Sequence, residues 1–207
     1  MATGLLVSLE GIDGCGKSTQ AELIKEKLSS KGIDHLSVRE PGGTVAGEEI
    51  RSILLGKDRI SSLQAELMLY MAARSELVRQ VIRPALQRGA IVICDRFADS
   101  TVAYQGYGGG MSIKTIKSLN NIATGGLKPQ LTLLFDLSVE KAAARRGGRR
   151  DRMEEKDDYF HARVRSGFLQ IAAAEPGRFK VIDASAGVEI QHQAVWSLLE
   201  SIVLPRC

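Results

Sequence analysis

The sequence predicts an α/β fold in which a five-stranded parallel sheet is flanked by helices in three layers. Five short runs are mostly continuous apolar residues, the pattern of strands that are buried on both faces of a parallel sheet. Helical segments alternate with these runs, and alternation of this kind implies crossover connections within one sheet. With 207 residues, of which 44% are hydrophobic, the chain can bury the core of one domain, and we expect a single domain over residues 1–207.

The predicted strands follow one another along the chain as Leu5–Glu10, His35–Arg39, Ala90–Asp95, Leu131–Leu137 and Phe179–Asp183. The predicted helices are Thr19–Lys31, Thr44–Leu55, Leu63–Arg88, Ser112–Ala123, Asp157–Ala174 and Val188–Ile202. Gly32 is suited to end the first helix, and Pro84 predicts a bend in the long third one because its ring forbids the regular hydrogen bond. The glycine-rich Gly106–Gly110 and the charged Arg145–Glu155 are predicted to be mobile loops.

The distribution of charge argues against a nucleic-acid partner, although the net charge is +4 and the isoelectric point is near 9.0. Residues 141–152 contain six lysines and arginines against one acid, Asp151, so this segment carries +5 and the rest of the chain −1. A chain that is nearly neutral outside one cationic segment is suited to a small polyanion rather than to a long phosphate backbone.

No membrane partner is expected, because no stretch approaches the roughly 18 continuous apolar residues of a membrane span. The N-terminal residues favour a first strand over a signal peptide. Three scattered cysteines, Cys15, Cys94 and Cys207, are an odd number, which favours a reducing, cytoplasmic location.

A phosphate-binding motif follows the first strand directly: Gly11-Ile-Asp-Gly-Cys-Gly-Lys17-Ser18 matches G-x-x-x-x-G-K-[ST] in the strand, loop and helix context that the motif requires. Its glycines and amides are suited to wrap phosphate oxygens, Lys17 to reach the β- and γ-phosphates and Ser18 to bind Mg²⁺. The motif predicts a P-loop NTPase fold with these nucleotide-binding residues: Gly11, Ile12, Asp13, Gly14, Cys15, Gly16, Lys17, Ser18 and Thr19. It leaves GTPases, ATPases and small-molecule kinases open.

Further segments resemble the thymidylate kinases in the order of that family and over nearly the whole chain. They are Glu10-Gly-Ile-Asp-Gly-Cys-Gly-Lys-Ser-Thr-Gln20, Arg39-Glu-Pro-Gly-Gly-Thr44, Tyr70-Met-Ala-Ala-Arg74, Asp95-Arg-Phe97, Ser100-Thr-Val-Ala-Tyr-Gln-Gly106 and Asp151-Arg-Met-Glu154. The resemblance implies a nucleoside monophosphate kinase domain that transfers a phosphoryl group from Mg-ATP to dTMP, giving ADP and dTDP for dTTP supply, and commonly a homodimer. Rival readings are another nucleoside monophosphate or deoxynucleoside kinase, and a nucleotide switch or nucleic-acid-binding NTPase.

Phosphoryl transfer to a phosphate needs no general base, because the accepting oxygen is already anionic, so positioning and charge neutralisation must supply the rate. Asp95 and Arg96 lie at the carboxyl end of a buried strand, where ligands of open α/β sheets collect. We expect Asp95 to contact Mg²⁺ or its water and Arg96 to bridge the two phosphates, with an ordinary salt bridge as the alternative. Asp136, at another strand end, is a weaker competitor for the carboxylate role.

The resemblance places Asp13 on the acceptor side, where its carboxylate would help to position Mg²⁺ or Arg96; a loop-stabilising aspartate is the alternative. It also places Tyr104 beside the sugar C2′, Arg51 at the dTMP phosphate and Glu40 in the acceptor site. For Arg51 the alternative is a solvated surface arginine.

Two pairs of residues one helical turn apart are assigned to the thymine base. Tyr70 is suited to stack on the base while Arg74 donates to thymine O4, although an aromatic residue on a helix is more often simply part of the core. Thr101 and Gln105 form the second pair, and the Gln105 amide can both donate and accept, which matches the O4 and N3 edge of thymine.

Five arginines within the eight positions 145–152 would repel one another without an anion, which indicates a basic lid over ATP at about 145–155. Because Gly14 stands in the phosphate loop, the chain resembles the bacterial thymidylate kinases, which place arginines in the lid. Arg149 and Arg152 are the favoured catalytic arginines, with Arg145 in reserve, and a merely solvating loop is the alternative. Cys15 departs from the family's usual Ser or Ala, and we expect sensitivity to thiol reagents there.

Overall fold

The computed structural model describes residues 4–56, 60–145 and 152–203 and contains one sheet of five parallel strands. The strands are β1 (Leu5–Glu10), β2 (His35–Arg39), β3 (Ile91–Asp95), β4 (Leu131–Asp136) and β5 (Phe179–Asp183). Their order in the sheet is β2-β3-β1-β4-β5. β1 is therefore the central strand, with β3 and β2 on one side and β4 and β5 on the other. The predicted sheet is confirmed, with strand ends that agree to within one residue.

Helices connect the strands. They are α1 (Lys17–Ser30), α2 (Val45–Leu55), α3 (Leu63–Leu77), α4 (Arg83–Gln87), α5 (Ala98–Thr101), α6 (Ile113–Thr124), α7 (Val139–Arg145), α8 (Asp158–Ala174) and α9 (Val188–Val203), with π-helical segments at Val78–Ile82 and Val102–Gly108. Side chains cap several starts: Thr44, Ser62, Ser112 and Asp157 each accept a hydrogen bond from a backbone amide of the first turn. Within the described residues, no helix is long and apolar enough to cross a membrane.

The core lies on both faces of the sheet because successive strand residues point in opposite directions. On one face, Val7, Ile93 and Leu133 pack in a cluster with α1 and α9; on the other, Leu6 and Val92 pack against the helix that runs from α3 to α4. The three predicted layers are therefore present. The loops at the carboxyl ends of β1, β2 and β3 lie outside these layers and are available to form a binding site.

The long helix around Pro84 differs from the predicted bend in its detail. The chain remains helical from α3 into α4, and the π-helical Val78–Ile82 lies directly before Pro84. A wider turn at this point accommodates a residue that has no amide hydrogen and whose ring would otherwise strike the preceding turn.

The prediction of a mobile loop at Gly106–Gly110 was wrong for its first half. The chain is helical through Gly108, and Gly106 and Gly108 are buried. A Cβ atom on Gly108 would lie 2.7 Å from the Phe160 ring and 2.8 Å from Val164 of α8. Gly108 therefore permits close packing against α8, whereas a Cβ atom on Gly106 would lie 3.3 Å from Ile113 and 3.4 Å from Ile116 of α6; the helix gives way to a turn at Gly109.

Candidate active site

A cavity of about 870 Å³ opens at the carboxyl ends of β1, β2 and β3. Its wall comes from the phosphate loop and the start of α1, the ends of β2 and β3, one face of α3, the Ser100–Gln105 stretch and the segment before α9. This is the sheet edge at which ligands of open α/β folds bind, and the volume is in the range of ligand pockets.

The phosphate loop has the backbone shape that its glycines predict. Gly11, Gly14 and Gly16 have φ values of 139°, 86° and 96°, a region that residues with a Cβ rarely adopt. A side chain on Gly11 would also lie 2.5 Å from the Phe135 carbonyl oxygen. Gly16 then caps the start of α1, whose first amides and positive dipole end face the cavity.

Lys17 is held inside this loop. Its side chain is buried, and its Nζ donates to the carbonyl oxygens of Gly11 and Ile12, both at 3.1 Å. Neutral carbonyl oxygens position the ammonium group without cancelling its charge, so Lys17 presents a positive charge to the cavity that it lines.

Ser18 and Asp95 meet across the loop in an arrangement that fits Mg²⁺. The Ser18 hydroxyl donates to Asp95 Oδ2 at 2.9 Å, while the buried Oδ1 of Asp95 has no hydrogen-bond partner within the part of the chain that the structure describes. Hard oxygen ligands with one carboxylate and room for phosphates and waters are what Mg²⁺ takes in such sites. The competitor Asp136 is committed elsewhere, since both of its oxygens accept from Arg165 at 2.7 and 2.9 Å.

Arg96 lies between the phosphate loop and α5 with a strained backbone, φ 70°, which for a residue with a long side chain is a mark of functional sites. Its guanidinium donates to Asp13 Oδ1 at 2.5 Å and to the Gly11 carbonyl oxygen at 3.0 Å. The Tyr104 hydroxyl donates to the other Asp13 oxygen at 3.0 Å. Burial alone would favour the neutral acid, but the charges of Arg96 and Lys17 hold the pKa of Asp13 well below its usual range.

Glu10, at the end of β1, is linked to Arg96 through Ser100. It was not among the site residues that the sequence predicts. Its buried carboxyl accepts from the Phe97 amide at 2.8 Å and from the Ser100 hydroxyl at 2.6 Å, and Ser100 in turn accepts from Arg96 at 3.2 Å. Burial first, and then the Asp99 charge, raise the pKa of Glu10 to about 8. The signal for it in the sequence is an acidic residue at the end of a mostly apolar strand.

Arg74 is the most tightly bound residue of the acceptor side, and only 1% of its surface is exposed. Its five N–H groups are directed at protein acceptors: Glu40 Oε2 twice, Thr101 Oγ1 at 2.9 Å, Asn120 Oδ1 at 2.6 Å and the Phe97 carbonyl oxygen at 3.1 Å. A thymine O4 would therefore have to share one of these donors, rather than meet a free guanidinium as the sequence suggests.

The same network fixes Glu40, whose Oε1 is buried and has no hydrogen-bond partner among the described residues. Burial raises the pKa of Glu40 against the opposing charge of Arg74. Next to it, the Arg51 guanidinium donates to the Pro41 carbonyl oxygen at 2.8 Å, and Arg51 and Tyr70 both line the cavity. The structure thus brings the predicted acceptor residues to one wall.

Gln105 also lies on this wall, but one side of its amide is occupied. Gln105 Nε2 donates one of its two hydrogens to Glu66 Oε1 at 2.7 Å, so the amide can offer a base its oxygen and only one N–H. Glu66 is buried on α3 and was missed by sequence reasoning, because its partners are 39 and 86 positions away.

The basic segment is divided between two places. Arg145, the last residue of α7, lines the cavity and donates to the Ala184 carbonyl oxygen at 2.8 Å. Arg149 lies outside the described residues, as do the other residues of 146–151. Arg152 does not reach toward the phosphate loop as expected; it pairs with Glu66 Oε2 at 2.5 Å and donates to the Leu54 carbonyl oxygen at 3.0 Å. Arg152 therefore contacts α2 and α3 in this structure, and not the predicted binding site of the ATP phosphates.

Cys15 is fully buried, with its sulfur 3.6 Å from Lys17 Nζ. Solvent does not reach this thiol in the structure, so the expected sensitivity to thiol reagents would require opening of the loop.

Comparison with known proteins gives one family. The family model described as thymidylate kinase matches residues 9–195. A thymidylate kinase of Exiguobacterium is 50% identical over 204 residues, which cover 97% of this chain and 96% of that protein, and one of Pseudomonas fluorescens is 47% identical over 205 residues, 97% of each. A crystal structure of thymidylate kinase from Ehrlichia chaffeensis superposes with a TM-score of 0.77 at 34% identity and covers 95% of this chain and 99% of that one.

Proposed function

The chain belongs to the thymidylate kinase family, and we propose from this premise that its cavity binds ATP and dTMP together and transfers the γ-phosphoryl group in line to dTMP, giving ADP and dTDP. The observation that carries the proposal is the position of Arg96, between the phosphate loop and the acceptor wall, with Asp13 and Tyr104 fixing its guanidinium. A cation at this point can contact both phosphates as they approach.

The donor is held by residues 11–19. Backbone amides of the loop and the start of α1 bind phosphate oxygens, and Lys17 neutralises the charge that builds up on the transferred group. Ser18 and Asp95 fit Mg²⁺, which when bound supplies further charge neutralisation of the phosphates. Arg145 borders the same cavity, and Arg149 remains a predicted lid arginine.

The acceptor is held by the opposite wall. We assign the dTMP phosphate to Arg51 and Arg96, the sugar to Tyr104 and the base to Tyr70, Arg74, Thr101 and Gln105, with Glu40 holding Arg74 in place. Burial raises the pKa of the Tyr104 hydroxyl, so it stays protonated and its bond to Asp13 persists. Its ring leaves little space for a ribose 2′-hydroxyl, which favours a deoxynucleotide.

Other features of the assignment follow from the family. We propose a single nucleoside monophosphate kinase domain over residues 1–207, a role in dTTP supply for DNA synthesis, a homodimer and a cytoplasmic location. The single domain is supported by the sheet order, because β2 and β5 lie at opposite edges of one sheet although they come from the two ends of the chain. Sedimentation equilibrium over a range of protein concentrations tests the dimer.

A panel of acceptors tests the function. Mg-ATP consumption is measured with dTMP, dUMP, CMP, UMP, AMP and GMP, and the product is identified by chromatography. We expect dTMP to give the highest kcat/KM by a wide margin and dTDP to appear mole for mole with ADP. A preference for another monophosphate would replace the assignment by a different kinase, and ATP hydrolysis stimulated by polynucleotides without any acceptor would replace it by a nucleic-acid-dependent NTPase.

A further inference from the structure

Gln105 presents a fixed face to the acceptor site because of Glu66. Both side chains are buried, with exposed fractions of 2% and 3%, and Gln105 Nε2 donates to Glu66 Oε1 at 2.7 Å. A carboxylate paired with an arginine accepts hydrogen bonds, so the amide nitrogen faces Glu66 with one of its two hydrogens and the amide oxygen is the acceptor that is left for a base.

Arg152 holds the second oxygen of Glu66. The Arg152 guanidinium pairs with Glu66 Oε2 at 2.5 Å and is anchored by its second bond, to the Leu54 carbonyl oxygen at the end of α2. Because one Glu66 oxygen accepts from Arg152 and the other from Gln105, the carboxylate is fixed against the amide. With Arg152 in place, the reversed amide would set its oxygen against a negative charge.

We propose that Glu66, held by Arg152, is a positioning residue that sets the base specificity of the acceptor site through the orientation of Gln105. Thymine carries an N–H at N3, which a fixed amide oxygen accepts. Cytosine carries a lone pair at N3 and an amino group at C4, so the same oxygen would face a lone pair, whereas a reversed amide would suit cytosine. Glu66 prevents the Gln105 amide from adopting the reversed orientation. This inference rests on the proposed function, because it assumes that the base of a pyrimidine monophosphate reaches Gln105.

Glu66→Gln tests the proposal with little change of shape. A glutamine at 66 can donate or accept, so the Gln105 amide is no longer forced into one orientation. We expect the ratio of kcat/KM for dTMP to that for dCMP to fall about tenfold, the effect of one hydrogen bond of ordinary strength. The ratio for dTMP to dUMP should stay the same, since both bases carry the N3 hydrogen, and the KM for ATP should not change.

The matched control is Glu49→Gln, the same substitution at an exposed position of α2. It should leave both ratios at the wild-type values. A purely structural role of Glu66 would lower activity with all three pyrimidine nucleotides in parallel, so an unchanged ratio of dTMP to dCMP in an active Glu66→Gln variant overturns the proposal.

Arg152 offers a second pair of variants if Glu66→Gln does not fold. Arg152→Lys keeps the cation and should retain the wild-type ratio of dTMP to dCMP, whereas Arg152→Gln should lower it; equal ratios in these two variants also overturn the proposal. A wild-type protein that does not phosphorylate dTMP at all would instead refute the proposed function, so the two failures are distinguishable.

Discussion

Replacing Arg74 by methionine should damage the stability of the protein as well as its use of dTMP. The guanidinium supplies five hydrogen bonds to one buried network, and its ion pair with Glu40 leaves the two side chains 1% and 4% exposed. Methionine fills similar space but provides none of these donors, so Glu40 would be buried without its cation.

Breaking a buried ion pair on one side costs about 3–5 kcal/mol. We expect the lower end, about 3 kcal/mol, because burial already raises the pKa of Glu40 and the carboxyl can escape its charge by taking up a proton. For a domain of this size each kcal/mol lowers the melting temperature by roughly 2–4 °C, which gives a fall of about 6–12 °C.

Calorimetric melting without nucleotides measures this effect. The control is Arg88→Met, which removes an exposed ion pair to Asp34, with side chains 49% and 57% exposed, and should cost less than about 1 kcal/mol. Adding Glu40→Gln to Arg74→Met should recover part of the loss, because no charge is then left buried. If Arg74→Met has the same melting temperature as Arg88→Met and only its KM for dTMP rises, the Arg74 network does not stabilise the fold and the prediction is wrong.

Three further predictions concern the phosphate side of the cavity. Lys17→Met should lower kcat at saturating ATP by roughly 10²–10³-fold with a melting temperature close to wild type, and an unchanged kcat would contradict the role of Lys17. Asp95→Asn should raise the Mg²⁺ concentration for half-maximal velocity about tenfold or more, whereas an unchanged Mg²⁺ requirement would remove Asp95 from the metal site. Because burial raises the pKa of Glu10 from 4.5 to about 8, the native state binds more protons than the unfolded state in that interval, and Glu10 makes stability fall as pH rises through it. Urea midpoints at both ends of this interval should show a smaller fall for Glu10→Gln than for wild type; equal slopes would refute the raised pKa.

Much of the fold could be predicted because the signals are local. Continuous apolar runs are sufficient to place parallel strands, and the ends of β1, β2 and β5 coincide with the predicted ones. The phosphate loop could be predicted for the same reason, since its shape depends on glycines within eight consecutive positions. Gly106 and Gly108 suggested a mobile loop, but glycine permits close packing as well as flexibility. Only their neighbours in the fold distinguish the two: Ile113 and Ile116 of α6 at Gly106, and Phe160 of α8 at Gly108.

The sequence indicates which residues line the cavity, but not the partners that hold them there. The sequence predicts Arg74 and Gln105 on one wall of the cavity, where the structure places them. It does not reveal that Glu40, Asn120 and Glu66 occupy their donors, because those contacts join positions 34, 46 and 39 residues apart in the chain. The charge of the lid and the family resemblance together predict Arg152 at the ATP phosphates, but in the structure Arg152 pairs with Glu66, because a buried carboxylate requires a cation.

The stereochemical course at phosphorus tests the central claim, that donor and acceptor phosphates meet directly across Arg96 in one cavity. ATP made chiral at a γ-phosphorothioate is incubated with the protein, Mg²⁺ and dTMP, and the configuration of the thiophosphoryl group in the product is determined. A single in-line transfer predicts inversion of configuration. Retention would contradict it, because retention requires two successive displacements and therefore a covalent intermediate on a protein side chain.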